Sequence, residues 1–130
     1  MREFLKLFVA LFGAICILIS LAHIAFGHAI VPGAGPVSAS TDNEDRFFAT
    51  LFLGFGAALV WCSRDLDARG SAFKALLAVF LLGGLARLLS IAAVGLPHPL
   101  FIFLTGLELI LPGLLLFWFE KTRVPARAPE

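Results

Sequence analysis

Two charged side chains, Arg87 and Glu108, lie inside otherwise apolar stretches of this sequence. They flank the turn-forming segment 95–98 (Gly-Leu-Pro-His), each about ten residues from its midpoint. In an antiparallel helical hairpin, two residues that are equally far from the turn lie at the same depth. Here both would lie roughly 12 to 15 Å below the outer membrane surface, at the helical rise of 1.5 Å per residue. The spacing therefore predicts that the two side chains face each other, in reach of a bidentate ion pair.

This pairing admits two interpretations. A charge near the centre of a bilayer costs about 2.5 kcal/mol or several times more, so each side chain needs the other or a polar cavity. The pair is either structural, fixing the register of the hairpin, or it lines a cavity and contacts a ligand or a proton. The sequence leaves both interpretations open.

Further polar side chains fall in the same half of the predicted helices, on faces defined by steps of three and four residues. For the second apolar stretch, this spacing selects a face of Arg46, Thr50, Gly54 and Ala57. We expect one polar, ligand-binding pocket toward the outer leaflet, formed by Ser20, His23, Arg46, Thr50, Arg87, Ser90, Thr105 and Glu108. Its formal charge from Arg46, Arg87 and Glu108 is +1, which favours an anionic group.

Catalytic and metal signatures are weak. No histidine has a histidine partner four residues away, and no nucleotide-binding or nucleophile motif is present. We therefore expect no catalytic residue, no metal and no cofactor. The glycines at 54, 56, 83 and 84 are interpreted as helix-packing positions. A membrane enzyme with Glu108 and His23 as acid and base remains the alternative.

The amino-acid composition indicates which secondary-structure elements position these residues. The chain has 130 residues, 60% of them hydrophobic and 15% charged, against about 25% charged in soluble domains. Its mean hydropathy of +0.98 excludes an ordinary soluble globule. Its net charge of +1 gives no reason to expect nucleic acid as a partner. The apolar runs predict a single all-α domain, an integral membrane four-helix bundle with spans at about 4–26, 42–63, 73–94 and 99–119.

Local signals refine the boundaries and the orientation. Thr41 and Glu44 form a capping-box pattern, which predicts that the second helix begins near Asp42. Basic residues flanking membrane spans stay preferentially on the cytoplasmic side. Arg46 is the only flanking basic residue on one side, and the other side carries Arg2, Lys6, Arg64, Arg69, Lys74, Lys121, Arg123 and Arg127. This asymmetry predicts that both termini are cytoplasmic.

Several short motifs also resemble a known family. They are Arg-Phe-Phe at 46–48, Gly-Phe-Gly at 54–56, Gly-Gly-Leu-Ala-Arg-Leu-Leu-Ser at 83–90, Gly-Leu-Pro-His-Pro at 95–99 and Leu-Glu-Leu at 107–109. Over roughly 46–119 the chain resembles the bacterial domain-of-unknown-function family 4345, whose members look like small four-span membrane proteins. The resemblance implies a four-span fold in a bacterial inner membrane and marks Arg46, Arg87 and Glu108 as motif positions. It implies no activity.

Taken together, these features favour a binding or interaction module. The expected partners are membrane lipid, a small anionic amphiphile bound in the pocket, or a helix of a partner membrane protein or of a second copy in a homo-oligomer. A small oligomeric transporter is a further alternative, for which Pro112 is the only sign of a broken helix.

Overall fold

The protein is all-helical in the computed structural model, which describes residues 1–123. Helix α1 spans Arg2–Phe26, a short 3-10 helix follows at Gly27–Ile30, and then come α2 (Ala39–Arg64), α3 (Gly70–Val94) and α4 (Pro99–Thr122). Within the described residues, all four α-helices are long and apolar enough to cross a membrane. The predicted fold class is confirmed. Arg127, counted above among the basic residues, lies outside the described part of the chain.

Helices α1 and α2 form a closely packed hairpin. The buried residues of α1 recur at steps of three and four, and they are Leu5, Val9, Gly13, Cys16 and Ser20. The closest approach joins Gly13 to Gly56, where a Cβ on Gly56 would lie 2.7 Å from the carbonyl oxygen of Gly13. Only glycine lets the two backbones come this near, as expected for helices that associate in lipid.

One end of the bundle, which we call the terminus end, holds Arg2, the connection 65–69 and the end of α4. All of the helices contribute there to an apolar core of Leu5, Val9, Leu59, Cys62, Leu66, Phe73, Leu77, Leu115 and Phe119. Arg2 ties this end together, because its guanidinium donates to the Phe119 carbonyl and the Thr122 hydroxyl, each at 3.2 Å, and pairs with Asp67. The basic residues predict that this end faces the cytoplasm.

The α1–α2 and α3–α4 hairpins separate toward the opposite end, which we call the far end. A layer of aromatic side chains joins the two hairpins, with Phe80 lying edge-to-face 5.0 Å from Phe12 and stacked 5.8 Å from Phe55, measured between ring centroids. Beyond this layer a groove lies between α2 and α3. The hairpins meet again at the far end, where a Cβ on Gly33 would lie 3.2 Å from the Cβ of His98.

Two expectations for α2 are wrong. The helix begins at Ala39 rather than near Asp42, because the Ser38 hydroxyl caps it by accepting a hydrogen bond from the Thr41 amide at 3.2 Å. The predicted face of Thr50, Gly54 and Ala57 is exposed. The buried face of α2 instead runs through Ala49, Gly56, Leu59, Cys62 and Ser63, because Gly56 is the glycine that fits against Gly13.

Candidate ligand-binding site around Arg87

Arg87 and Glu108 form the ion pair that their spacing predicts. The Arg87 Nε donates to the Glu108 Oε2 at 2.8 Å. The two side chains differ in exposure, with Arg87 39% exposed and Glu108 only 11%. The carboxylate is therefore held in the interior of the hairpin while the guanidinium reaches outward.

The close approach of α3 and α4 explains how the carboxylate reaches this depth. A Cβ on Gly84 would lie 3.0 Å from the Cβ of Glu108, so only glycine lets α4 pack this tightly at that level. Pro112 is buried in the same helix face, one turn along from Glu108. Because proline has no amide hydrogen, the Glu108 carbonyl lacks its usual helical donor. Gly84 thus acts as the predicted packing position, whereas Gly54 has nothing within 4 Å of where its Cβ would be.

Most of the hydrogen-bonding capacity of Arg87 is unused within residues 1–123. A guanidinium carries five N–H donors, and the contact with Glu108 is a single bond through Nε rather than a bidentate pair. The guanidinium carbon also lies 5.7 Å from the centre of the Phe101 ring, which is within cation–π distance. The terminal nitrogens therefore remain available to a ligand or to water.

A large apolar groove lies on one side of Arg87. Its volume is about 670 Å³, and α2, α3 and α4 line it through Phe48, Leu51, Phe52, Phe55, Val79, Phe80, Gly83, Ala86, Arg87 and Glu108. The stacked rings of Phe55 and Phe80 lie toward its terminus-end side. The Arg87–Glu108 pair provides the charged groups of this lining. The volume falls within the roughly 300–1,000 Å³ typical of ligand pockets.

A smaller pocket lies on the other side of Arg87, against the turn between α3 and α4. It measures about 240 Å³ and is lined by Arg87, Ser90, Ile91, Pro97, Phe101 and Thr105. The Thr105 hydroxyl donates to the Phe101 carbonyl at 2.7 Å. The Ser90 hydroxyl makes no hydrogen bond to any residue that the structure describes. Arg87 lines both cavities and so separates an apolar space from a partly polar one.

Two other residues of the predicted pocket, His23 and Arg46, belong to a second cluster, at the far end of the α1–α2 hairpin. His23 Nδ1 lies 2.9 Å from Asp45 Oδ2. Arg46 donates to Asp42 at 2.8 Å and to the Ile24 carbonyl at 2.6 Å, so it caps the end of α1. His23 and Arg46 thus find their acidic partners within their own hairpin.

The hydrogen bonds therefore divide the predicted site residues between two groups, rather than joining them around one pocket. Ser20 and Thr50 donate to carbonyls of their own helices, Cys16 at 2.7 Å and Arg46 at 3.1 Å, and contribute to neither cavity lining. The expected formal charge of +1 was counted over Arg46, Arg87 and Glu108. Because Arg46 is paired with Asp42 in the other cluster, the site around Arg87 keeps one positive and one negative charge, which sum to zero. The accessible group of that pair is nevertheless the cation.

Sequence reasoning missed two sets of residues. Asp42 pairs with Arg46, which the i, i+4 spacing of the two residues could have indicated, and Asp45 pairs with His23 across the α1–α2 hairpin. The apolar groove lining carries no signal of its own, because Phe48, Phe52 and Val79 resemble ordinary lipid-facing residues. Among residues 1–123, no group of three or more His, Cys, Asp or Glu side chains is placed to hold a metal ion.

The fold and this site define a helical multi-pass membrane protein in which a charged pair, Arg87 and Glu108, lines an apolar groove. The chain belongs to the family described as Domain of unknown function (DUF4345), whose sequence profile matches residues 4–119. No curated protein and no solved structure gives a significant match to the chain.

Proposed function

We propose that this protein binds an anionic amphiphile of a bacterial inner membrane, with the apolar chain in the groove and the anionic group on Arg87. The single observation that carries the proposal is the position of Arg87, which lines both the 670 Å³ groove and the 240 Å³ pocket. A ligand that fills both cavities must be apolar at one end and polar at the other.

The shape of the groove supports an acyl chain. Its lining on α3 runs from Val79 to Arg87, a distance of about 12 Å at 1.5 Å per residue. One leaflet of the hydrocarbon core is about 15 Å thick, so the groove is nearly as long as a lipid chain that spans one leaflet. Apart from Arg87 and Glu108, its side chains are aliphatic, aromatic or glycine, and these suit a hydrocarbon tail.

The electrostatics favour an anionic group on Arg87. Unsatisfied N–H donors inside a bilayer cost several kcal/mol each, so the terminal nitrogens of the guanidinium need acceptors. A carboxylate or phosphate forms charge-assisted hydrogen bonds with guanidinium. Glu108 is bound to the Nε edge and is mostly buried, so a ligand meets the cation before it meets the carboxylate.

Acid–base catalysis by Glu108 and His23 lacks support from the geometry. His23 pairs with Asp45 in the α1–α2 hairpin, and Glu108 pairs with Arg87 in the α3–α4 hairpin. A helix of a partner protein or of a second copy is the competing occupant of the groove. Arg87 favours the amphiphile, because a mostly apolar partner helix offers no anion at that depth, and Glu108 of a second copy is already bound to its own Arg87.

The test is native mass spectrometry of the full chain released from nanodiscs of zwitterionic lipid that also contain two anionic amphiphiles, phosphatidylglycerol and oleate. We expect bound anionic amphiphile on the native chain and loss of it in Gly83→Leu, whose side chain would enter the groove. Gly113→Leu is the matched control, because Gly113 is an exposed helical glycine with nothing within 4 Å of where its Cβ would be.

Both substitutions bring the same change in helix propensity, but only Gly83 lines the groove, where a Cβ would lie 3.8 Å from the Glu108 Oε2. Loss of binding in Gly83→Leu therefore reports on the groove together with the ion pair that lines it. Equal amphiphile binding by the native chain and both variants would contradict the proposal. Binding of a protein or of a second copy, lost in Gly83→Leu, would replace the amphiphile by a partner helix.

A further inference from the structure

We infer that the amphiphile has one apolar chain and a small terminal carboxylate, and that the carboxylate occupies the 240 Å³ pocket beyond Arg87. This inference rests on the proposed function and specifies the chemical class of its ligand. It follows from the unequal sizes of the two cavities and from the donors around the smaller one.

The small pocket limits the head group. Its volume of about 240 Å³ lies below the roughly 300 Å³ at which pockets begin to hold drug-sized ligands. Pro97 and Phe101 form apolar walls on the side of the turn. A carboxylate fits this space, whereas the glycerol, phosphate and head-group substituent of a diacyl phospholipid would have to pass Arg87 together.

The donors suit a planar anion with two acceptor oxygens. The terminal nitrogens of Arg87 present a flat fork, which matches a carboxylate in geometry. The Ser90 hydroxyl lines the same pocket and makes no hydrogen bond to another described residue. Thr105 donates its hydroxyl hydrogen to the Phe101 carbonyl, so Ser90 is the hydroxyl donor left for the ligand.

The groove and the small pocket lie on opposite sides of the Arg87 side chain. This arrangement fixes the direction in which the ligand lies along the membrane normal. The acyl chain runs from Arg87 toward Phe80, and the carboxylate lies toward the turn at Pro97. On the predicted orientation, a fatty acid of the outer leaflet has the same direction, with its polar end toward the outer surface. Because Arg87 lies roughly 12 to 15 Å below that surface, the ligand moves inward between α2 and α3 until its carboxylate reaches the small pocket, without turning over.

The test compares three probes on the full chain in nanodiscs of zwitterionic lipid: oleate, methyl oleate and the diacyl anionic lipid phosphatidylglycerol. Methyl oleate keeps the chain of oleate and removes its charge. We expect oleate to bind at least tenfold more tightly than either other probe. Ser90→Ala is expected to weaken oleate about tenfold, as for loss of a hydrogen bond to a charged group, and to leave methyl oleate unchanged.

Ser71→Ala is the matched control, because Ser71 is an exposed serine of the same helix at the terminus end. Unfolding midpoints equal to that of the native chain would show that both variants fold, as expected because Ser90 is exposed. Oleate binding that is unchanged in Ser90→Ala, or phosphatidylglycerol binding as tightly as oleate, would overturn the inference.

These results separate the two proposals. If phosphatidylglycerol binds as tightly as oleate and its binding is lost in Gly83→Leu, the groove function stands and the carboxylate inference fails. If no probe shows binding that is sensitive to Gly83→Leu, both fail.

Discussion

The ion pair between Arg87 and Glu108 gives the most quantitative prediction. Replacing Arg87 by methionine would keep much of the side-chain volume and leave the Glu108 carboxylate, 11% exposed, without its cation. Two unit charges 4 Å apart attract by about 4 kcal/mol at an effective dielectric constant of 20. Breaking a buried pair typically costs about 3–5 kcal/mol. Because Arg87 itself is 39% exposed, we expect the lower limit, a loss of about 3 kcal/mol in the free energy of unfolding.

Replacing the other partner of the pair, Glu108, should lower the free energy of unfolding by less. Glu108→Met leaves a guanidinium that can still reach polar surroundings, so we expect a loss of about 1 kcal/mol. The double variant removes both charges and leaves apolar side chains of similar volume, which is often nearly neutral. We therefore expect it to be about as stable as Glu108→Met, with a coupling free energy between the two positions of about 3 kcal/mol.

The assay is equilibrium unfolding of the full chain in mixed micelles by increasing denaturing detergent, applied to the native chain, both single variants and the double variant. The matched control is Lys74→Met, which breaks the Lys74–Glu120 pair at the terminus end. Both of its side chains are 43% exposed, so we expect less than about 1 kcal/mol. An Arg87→Met loss no greater than that of Lys74→Met, or additive effects in the double variant, would refute the buried-pair reasoning.

Three other predictions concern the fold. Gly56→Val should destabilise the α1–α2 hairpin by about 2 kcal/mol or more through overpacking. Gly54→Val, the control, should leave the unfolding midpoint nearly unchanged. Equal effects of the two substitutions would contradict the observed buried face of α2. Ser38→Ala should cost about 1 kcal/mol in the same unfolding assay, since it removes the N-cap of α2, and an unchanged midpoint would show that the cap contributes nothing. Single cysteines introduced at exposed Ala68 and Val37, with the native cysteines replaced, should react with membrane-impermeant maleimide from the cytoplasmic and outer sides respectively, and the opposite pattern would reverse the predicted orientation.

The pairing of Arg87 with Glu108 could be predicted because a short turn fixes depth. Only residues 95–98 separate α3 from α4, so counting residues from the turn locates both side chains on a common level. Steps of three and four residues likewise bring Gly13, Cys16 and Ser20 to one face of α1, and this face is buried. In both cases, the information lies within one helix or one tight hairpin.

The face of α2 could not be predicted in this way. The connection from α1 to α2 is longer and contains the 3-10 helix Gly27–Ile30, so residue counting no longer fixes how α2 is rotated. Two glycines, Gly54 and Gly56, offered alternative packing faces. The close contact of Gly56 with Gly13 decides between them, and that contact depends on the shape of both helices at once.

The sequence alone determined that the chain forms membrane-type helices, and that Arg87 and Glu108 meet, because hydropathy, helical rise and turn length are local properties. Only the tertiary structure divided the polar residues into two clusters and opened an apolar groove between α2 and α3. Lipid chains are as apolar as the helix surfaces, so hydrophobicity does not indicate which face of one hairpin meets the other. Close packing at Gly13, Gly56 and Gly84 holds the helices together within each hairpin, and the aromatic layer around Phe80 joins one hairpin to the other.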